Sequence, residues 1–126
     1  MTAVLDASAL LAFLHDEPGC ERVEAALPHA IISSVNWTEV VQKSIANGAD
    51  PDGMQDDLTA LGLTIAPFSA ADAELAGRLW EQTRSIGLSL GDRACLSTAI
   101  RLEIPILTAD RIWSSLKLSI AIHCIR

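Results

Sequence analysis

The sequence predicts an α/β domain in which a mostly parallel sheet of four to five strands lies between two layers of helices. Short apolar runs alternate with longer amphipathic runs along the 126 residues, and strands separated by helices favour parallel pairing. The length suits a single domain over residues 1–126, because such a chain buries roughly two-thirds of its unfolded surface. Half of the residues are hydrophobic, so we expect a folded core.

Five apolar runs are the predicted strands. The first two are Ala3-Val4-Leu5 and Ala30-Ile31-Ile32, and the others cover residues 63–67, 104–107 and 118–125. Proline lacks a backbone N–H, so Pro105 indicates either the start of the fourth strand or an edge position.

Amphipathic runs between these strands predict the helices. Asp50-Pro51 is typical of a helix start, because an aspartate cap is followed by proline at the first helical position. Ser69 is predicted to open one long helix that ends near Gly87. The predicted helices cover residues 9–14, 20–27, 35–46, 51–62, 69–87, 89–102 and 112–116.

The acidic charge limits the functions to consider. A formal net charge of −7 argues against a protein that passively coats nucleic acid, since such proteins are normally basic. Residues 1–63 carry ten acidic and two basic side chains, a charge of −8, whereas residues 64–126 carry six and seven, a charge of +1. An acidic protein can still act on a polyanion if its carboxylates surround metal ions, so the charge alone does not decide the function.

The cellular setting is also suggested by composition. Three cysteines show no metal-like pairing and predict free thiols in a reducing cytoplasm. A run of about 18 apolar residues, which a membrane span requires, does not occur. We therefore expect a cytoplasmic protein with no membrane partner.

Four acidic residues are predicted to lie at the carboxyl edge of the sheet, where ligands bind in open α/β folds. Asp6 directly follows the first strand, and Asp110 follows the fourth. Glu39 lies near the second turn of the helix that leaves the second strand. Asp92 opens the helix that returns to the fourth strand. The alternatives are a helix cap for Asp6, a solvated position for Glu39 and a turn for Asp110.

Asp72 lies in the same sequence pattern as Asp92. Ser89-Leu90-Gly91-Asp92 and Ser69-Ala70-Ala71-Asp72 both place an acid three residues after a serine, which is the capping-box spacing that opens helices. Two successive helices joined by a short loop cannot both run antiparallel to the sheet. Spacing alone therefore does not choose between Asp72 and Asp92.

Carboxylates gathered at one edge repel one another unless cations neutralise them. Hard oxygen ligands select Mg²⁺ or Mn²⁺, and two such ions can activate a water and stabilise the leaving oxygen in phosphodiester hydrolysis. This chemistry needs no histidine, and the three histidines of the chain show no ligand spacing.

Four segments of the chain resemble PIN-domain ribonucleases, especially the VapC-like toxins of type II toxin–antitoxin pairs. The segments are VLDASALLAFL, NWTEVV, SLGDRACLSTA and LTADRIW, and they follow the family's order along nearly the whole chain. The resemblance implies a parallel sheet between helices and a Mg²⁺- or Mn²⁺-dependent endoribonuclease. It also implies a cognate antitoxin as partner and a homodimer, which is usual in the family.

The resemblance assigns roles to the acidic residues. It implies that Asp6, Asp92 and Asp110 face the metal ions, and that Glu39 completes the acidic cluster as a ligand or through a bound water. It favours a capping role for Asp72, because SAAD belongs to none of the four segments.

Polar residues beside the acids receive supporting roles. The resemblance implies that Ser8 and Thr108 occupy hydroxyl positions that stabilise the site by hydrogen bonds, and the alternative is that both bond only to nearby backbone. Arg93 and Arg111 each follow a proposed metal ligand, so they are candidate contacts to RNA phosphates as bidentate donors. Pairing with surface carboxylates is the alternative for both arginines.

Two other functions compete with the nuclease. A phospho-acceptor receiver domain has a similar length, charge and α/β pattern. It requires paired acids after the first strand and an aspartate after the third, whereas this chain has the single Asp6 and the segment Ala66-Pro67-Phe68. The second alternative is a PIN fold that acts only as a binding module, and the intact acidic set argues against it.

Overall fold

The computed structural model describes residues 2–126 and contains, within them, a five-stranded sheet. Every neighbouring pair of strands is parallel, and the order across the sheet is β3-β2-β1-β4-β5. The predicted α/β class and parallel sheet are confirmed. The strands are β1 (Ala3–Leu5), β2 (Ala30–Ser33), β3 (Thr64–Ala66), β4 (Ile106–Thr108) and β5 (Ile122–Cys124).

Helices cover both faces of the sheet. Short 3₁₀ turns at Leu27–His29, Arg84–Ile86 and Arg111–Ser115 lie in the connections between elements. Among residues 2–126, no helix is long and apolar enough to cross a membrane. The α-helices are α1 (Ala7–Leu14), α2 (Cys20–Ala26), α3 (Ser34–Ala46), α4 (Met54–Ala60), α5 (Ala70–Arg78), α6 (Trp80–Thr83) and α7 (Leu90–Leu102).

Two hydrophobic cores form because successive strand residues point to opposite faces of the sheet. On β1, Leu5 packs into the core beneath α1 and α2. Val4 packs on the other face, against Leu96 of α7 and the fully buried Trp113. The three inner strands β1, β2 and β4 are therefore buried on both sides, as expected for a parallel sheet, whereas the edge strands β3 and β5 are partly exposed.

The strand order determines where a ligand can bind. The chain adds β2 and β3 on one side of β1 and then crosses to add β4 and β5 on the other side. The carboxyl ends of β1 and β4 thus flank the point at which the direction of winding reverses, where open α/β sheets bind ligands. The same order excludes the receiver alternative, because receiver domains have the order 2-1-3-4-5.

Two strands differ from their predicted limits. Pro105 precedes β4, which lies inside the sheet between β1 and β5. Its carbonyl accepts a hydrogen bond from the Val4 N–H at 2.8 Å, so the start position is correct and the edge position is wrong. The last strand covers only Ile122–Cys124 of the predicted residues 118–125.

Two helices also differ, for local reasons. The predicted helix over residues 69–87 is interrupted after α5, where the Thr83 hydroxyl donates to the Leu79 carbonyl at 2.8 Å, a contact that bends helices. The helix predicted from Pro51 begins later, at Met54. The Asp50 carboxylate accepts from the Asp52 N–H at 2.9 Å instead of capping a helix, and Gly53 has a left-handed φ of 83°.

Candidate active site

Asp6 lies at the centre of the candidate site, directly after β1. Its side chain is 4% exposed and caps α1 by accepting the Ala9 N–H at 2.9 Å. The capping role and the active-site position thus coincide in one residue. The positive end of the α1 dipole stabilises the carboxylate in its ionised form.

Two hydroxyl groups fix the Asp6 carboxylate from the β4 side. Ser8 Oγ donates to Asp6 at 2.8 Å, and Thr108 Oγ1 donates at 2.6 Å. Each hydroxyl has a single hydrogen to donate, and its oxygen also accepts a backbone hydrogen bond. Ser8 accepts from the Ala109 N–H at 2.9 Å, and Thr108 accepts from the Asp110 N–H at 3.0 Å. The loop after β4 is therefore connected to Asp6 through both hydroxyls.

Burial makes Asp6 a weaker acid than usual. Desolvation raises its pKa from 3.8 to about 6, although hydrogen bonds from Thr108, Ala9 and Ser8 lower it, and the charge of Asp92 raises it further. A buried carboxylate beside another carboxylate holds its charge poorly, so a cation placed here would relieve an unfavourable arrangement.

Glu39 reaches the same site from α3. Asn36, one turn earlier on α3, donates through Nδ2 to Glu39 Oε1 at 2.8 Å and to the Gly91 carbonyl at 2.9 Å. Both partners are acceptors, so these bonds fix the orientation of the amide. Asn36 is thus the bridge that holds Glu39 against the first turn of α7.

Asp92 enters the site at the N-terminus of α7. Its Oδ2 accepts from the Ser89 N–H at 2.9 Å and completes a capping box with the Ser89 hydroxyl. Within residues 2–126, Oδ1 accepts no protein hydrogen bond. Asp92 therefore caps its helix with one oxygen and leaves the other available to a ligand.

Cys95 lies within the electrostatic influence of three of the acids. The thiol is fully buried, and burial raises its pKa well above the usual value, as do the charges of Asp6, Asp92 and Glu39. The thiol therefore stays protonated and belongs to the hydrophobic core on this face of the sheet.

Asp72, the competitor of Asp92, has a different environment. It forms a capping box with Ser69, and its second contact is an ion pair with Arg101 near the end of α7. Arg101 lies nine residues beyond Asp92 on the same helix, a separation of about 13.5 Å along the axis. Asp72 is a structural cap, whereas Asp92 lies beside Asp6.

The remaining predicted residues lie at the margin of this cluster. Asp110 is exposed, and its carboxylate accepts from the Ile112 N–H at 3.1 Å, at the start of a 3₁₀ turn. The Arg93 guanidinium donates to the Ala76 carbonyl of α5 at 3.0 Å. The Arg111 guanidinium donates to the Arg126 carbonyl at 3.0 Å. Asp6, Glu39 and Asp92 come together, and Asp110 joins them only through its backbone bond to Thr108.

The donor set has the chemistry of a hard divalent cation site. All of its side chains offer oxygen, which Mg²⁺ and Mn²⁺ prefer, and within residues 2–126 none of the three central carboxylates is paired with a basic side chain. Residues 2–126 contain no group of three acidic, histidine or cysteine side chains that is arranged to hold a metal ion. The ligand type therefore suits a divalent ion. To bind one, the carboxylates must move closer together.

Sequence reasoning missed three residues of this site. Asn36 had a detectable signal, because it precedes Glu39 by three residues and so lies on the same face of a helix. Gly91 and Cys95 had none, since their roles depend on α3 and β1, which are distant along the chain.

Gly91 is required by the close approach of Glu39. A Cβ at this position would lie 2.8 Å from Glu39 Cδ and 3.0 Å from Oε2, closer than the groups can pack. We expect Gly91→Ala to displace Glu39 and to lower, at least about tenfold, the metal-dependent RNA cleavage that the sequence resemblance predicts. The free energy of unfolding of the Gly91→Ala variant should stay the same or rise by up to about 1 kcal/mol, because alanine favours helices more than glycine does.

Gly77→Ala is the matched control for this prediction. Gly77 lies within α5, and an added Cβ there meets no atom within 4 Å. Cleavage assays and urea unfolding of both variants separate the two effects. Equal activities of Gly91→Ala and Gly77→Ala would contradict the proposed role of Glu39.

The fold and the site together define a family. The PIN domain family model matches residues 3–117, so the chain belongs to the PIN domain family. The resemblance of the four acidic segments is confirmed at the level of the family. A comparison with curated proteins gives no match.

Solved structures share the fold at low sequence identity. A toxin–antitoxin complex from Klebsiella pneumoniae superimposes with a TM-score of 0.75 at 18% identity, covering 99% of this chain and 98% of that chain. DNA-bound VapBC from Salmonella typhimurium gives 0.74 at 15%, covering all of both chains. FitAcB from Neisseria gonorrhoeae gives 0.70 at 15%, covering 98% of each. The PIN fold of this chain extends over almost the whole length of these relatives.

Proposed function

We propose that the protein is a cytoplasmic, metal-dependent endoribonuclease, a toxin controlled by a cognate antitoxin, with residues 1–126 acting as one PIN domain. The observation that carries the proposal is the gathering of Asp6, Glu39 and Asp92 around Cys95 without a basic partner among the described residues. Asp6 is buried, and a protein seldom buries a carboxylate close to other carboxylates unless a cation or a proton compensates it.

The chain's own residues perform the positioning. Asp6 is immobilised by α1 and by two hydroxyls, and Asp92 is immobilised by its helix cap. We infer that Asp6 and Asp92 hold Mg²⁺ or Mn²⁺, with Glu39 acting directly or through a water and Asp110 completing the set. When bound, the ions supply an activated water and stabilise the leaving oxygen of the phosphodiester.

The structural relatives support the toxin part of the proposal. One of them is described as a toxin–antitoxin complex, and others are described as VapBC complexes. An antitoxin that inserts a basic side chain among the carboxylates would neutralise them as a metal ion does, and would exclude that ion. Competition between the antitoxin side chain and the metal ion for the same carboxylates would inhibit the nuclease.

The nuclease proposal is tested by incubating the protein with RNA and Mg²⁺ or Mn²⁺. We expect cleavage that EDTA abolishes and that Asp92→Asn removes. Asp72→Asn is the matched control, since it alters an identical capping box and should keep its activity per folded molecule. EDTA-resistant cleavage, or equal activity of both variants, would contradict the mechanism.

The toxin proposal has a separate test in cells. Expression should arrest growth, and co-expression of a neighbouring reading frame should relieve the arrest and yield a stable complex. Loss of growth arrest in Asp92→Asn would link toxicity to the site. Normal growth with active protein would contradict the toxin role and leave the nuclease proposal intact.

A further inference from the structure

A cleft of about 350 Å³ runs from the candidate active site along the groove between α1 and α3. Ser8 and Leu11 line it from α1, and Lys43 and Ala46 line it from α3. We propose that this cleft binds a backbone phosphate of the RNA strand beside the cleaved bond, with Lys43 as the principal contact. The inference rests on the proposed nuclease function and adds the path of its substrate.

The cleft lies next to the acidic cluster along both helices. Ser8, which lines the cleft, donates its hydroxyl hydrogen to Asp6. On α3, Lys43 follows Glu39 by four residues, so the two lie on the same face about one turn, 5.4 Å, apart along the axis. A phosphate at Lys43 would therefore belong to a nucleotide close to the reacting one.

Lys43 is an exposed and uncompensated cation in a strongly acidic half of the molecule. Residues 1–63 contain only two basic side chains, Arg22 and Lys43, and the Arg22 guanidinium donates to the Cys124 carbonyl. Within residues 2–126, no carboxylate lies within 4.0 Å of Lys43. Among residues 2–126, Glu17 is the only acidic residue that lines the cleft, and it pairs with Arg126 at 3.2 Å and lies 3.9 Å from His15.

The cleft suits a phosphate better than a base. A phosphate offers only acceptor oxygens, and Lys43, Asn47 and Arg126 offer donors around the same space. Base binding to single strands relies on stacking against aromatic rings, and among the described residues that line the cleft the only ring is the imidazole of His15, which lies 3.9 Å from Glu17. A cationic contact here also offsets the repulsion between the acidic surface and RNA.

Binding is measured by fluorescence anisotropy of a labelled, short single-stranded RNA of mixed sequence, in EDTA so that no cleavage occurs. We expect Lys43→Ala to weaken binding roughly fivefold and to reduce the salt dependence of log K by about 0.7, the value of one phosphate contact on a single strand. Lys43→Arg should retain most of the affinity.

Lys117→Ala is the matched control. Lys117 is the only other lysine of the chain, is exposed, and does not line the cleft. Its removal takes the same charge from the protein and should leave binding close to that of the unchanged protein.

The outcomes separate this inference from the proposed function. If Lys43→Ala and Lys117→Ala bind RNA equally tightly, the assignment of the cleft to RNA is overturned. The proposal of metal-dependent cleavage is not affected by that result. An RNA that neither binds nor is cleaved overturns both. Unchanged RNA binding with weaker capture of the co-expressed antitoxin by Lys43→Ala assigns the cleft to the protein partner and also overturns the RNA path.

Discussion

Asp6→Asn is expected to abolish RNA cleavage and to make the metal-free protein more stable at neutral pH. The carboxylate is the central oxygen donor of the site, so we expect activity to fall roughly a hundredfold or more. Asparagine has nearly the same shape and can still accept the Ala9 N–H that caps α1. The loss of activity should therefore occur without loss of the fold.

The gain in stability follows from the raised pKa of Asp6. Between the unfolded pKa of 3.8 and the folded pKa of about 6, the native protein keeps a proton that the unfolded chain has released. The free energy of unfolding of the unchanged protein therefore falls as pH rises through this window. An asparagine at this position does not titrate, so the substitution removes this penalty, which reaches on the order of 2–3 kcal/mol above pH 6.

Urea unfolding in EDTA from pH 3.5 to 8 measures this difference. The stability advantage of Asp6→Asn should be near zero at the acidic end and largest above pH 6. Asp56→Asn, at an exposed position of α4, is the control and should show no such trend. A variant that is less stable than the unchanged protein at pH 7 would contradict the desolvation argument.

Arg101→Ala is expected to cause a large loss of stability for a substitution outside the hydrophobic core. The Asp72 side chain is fully buried, whereas Arg101 is partly exposed, so removing the arginine leaves a buried charge without its partner. The cost should be about 2–4 kcal/mol, a large share of the roughly 5–15 kcal/mol typical of a domain. Activity per folded molecule should not change.

The effect of Arg101→Ala should depend on pH. Burial raises the pKa of Asp72, but hydrogen bonds from Arg101 and Ser69 and the charge of Arg101 outweigh it, and the pKa is lowered below 3.8 overall. The stability contributed by this pair is therefore complete above pH 3.8 and is lost as pH falls through the lower folded pKa.

Arg78→Ala is the control for the ion pair. The Arg78–Glu74 pair has a distance of 2.8 Å, and both side chains are highly exposed, so its loss should cost less than about 0.5 kcal/mol. Equal effects of the two arginine substitutions in urea unfolding would show that the Asp72–Arg101 pair contributes no more than a surface pair.

The features that the sequence predicts correctly are those that depend on neighbouring residues in the chain. Apolar alternation and helix caps depend on residues within a few positions of one another, so the five strands and the start of α7 are visible in the chain itself. The helix predicted over residues 69–87 shows the limit, because the bend at Thr83 depends on a buried hydroxyl contact with Leu79. Its burial comes from tertiary packing.

The sequence by itself determined the α/β class, the parallel pairing and the set of acids at strand and helix ends. Only the tertiary structure decided the order of the strands and the partners of each acid. Asp72 and Asp92 have the same capping box, yet one faces Arg101, 29 positions along the chain, and the other faces Asp6. The raised pKa of Asp6 likewise comes from burial in the folded chain, where its hydroxyl partner Thr108 lies 102 positions away. Such contacts depend on how the sheet is wound, which no local pattern encodes.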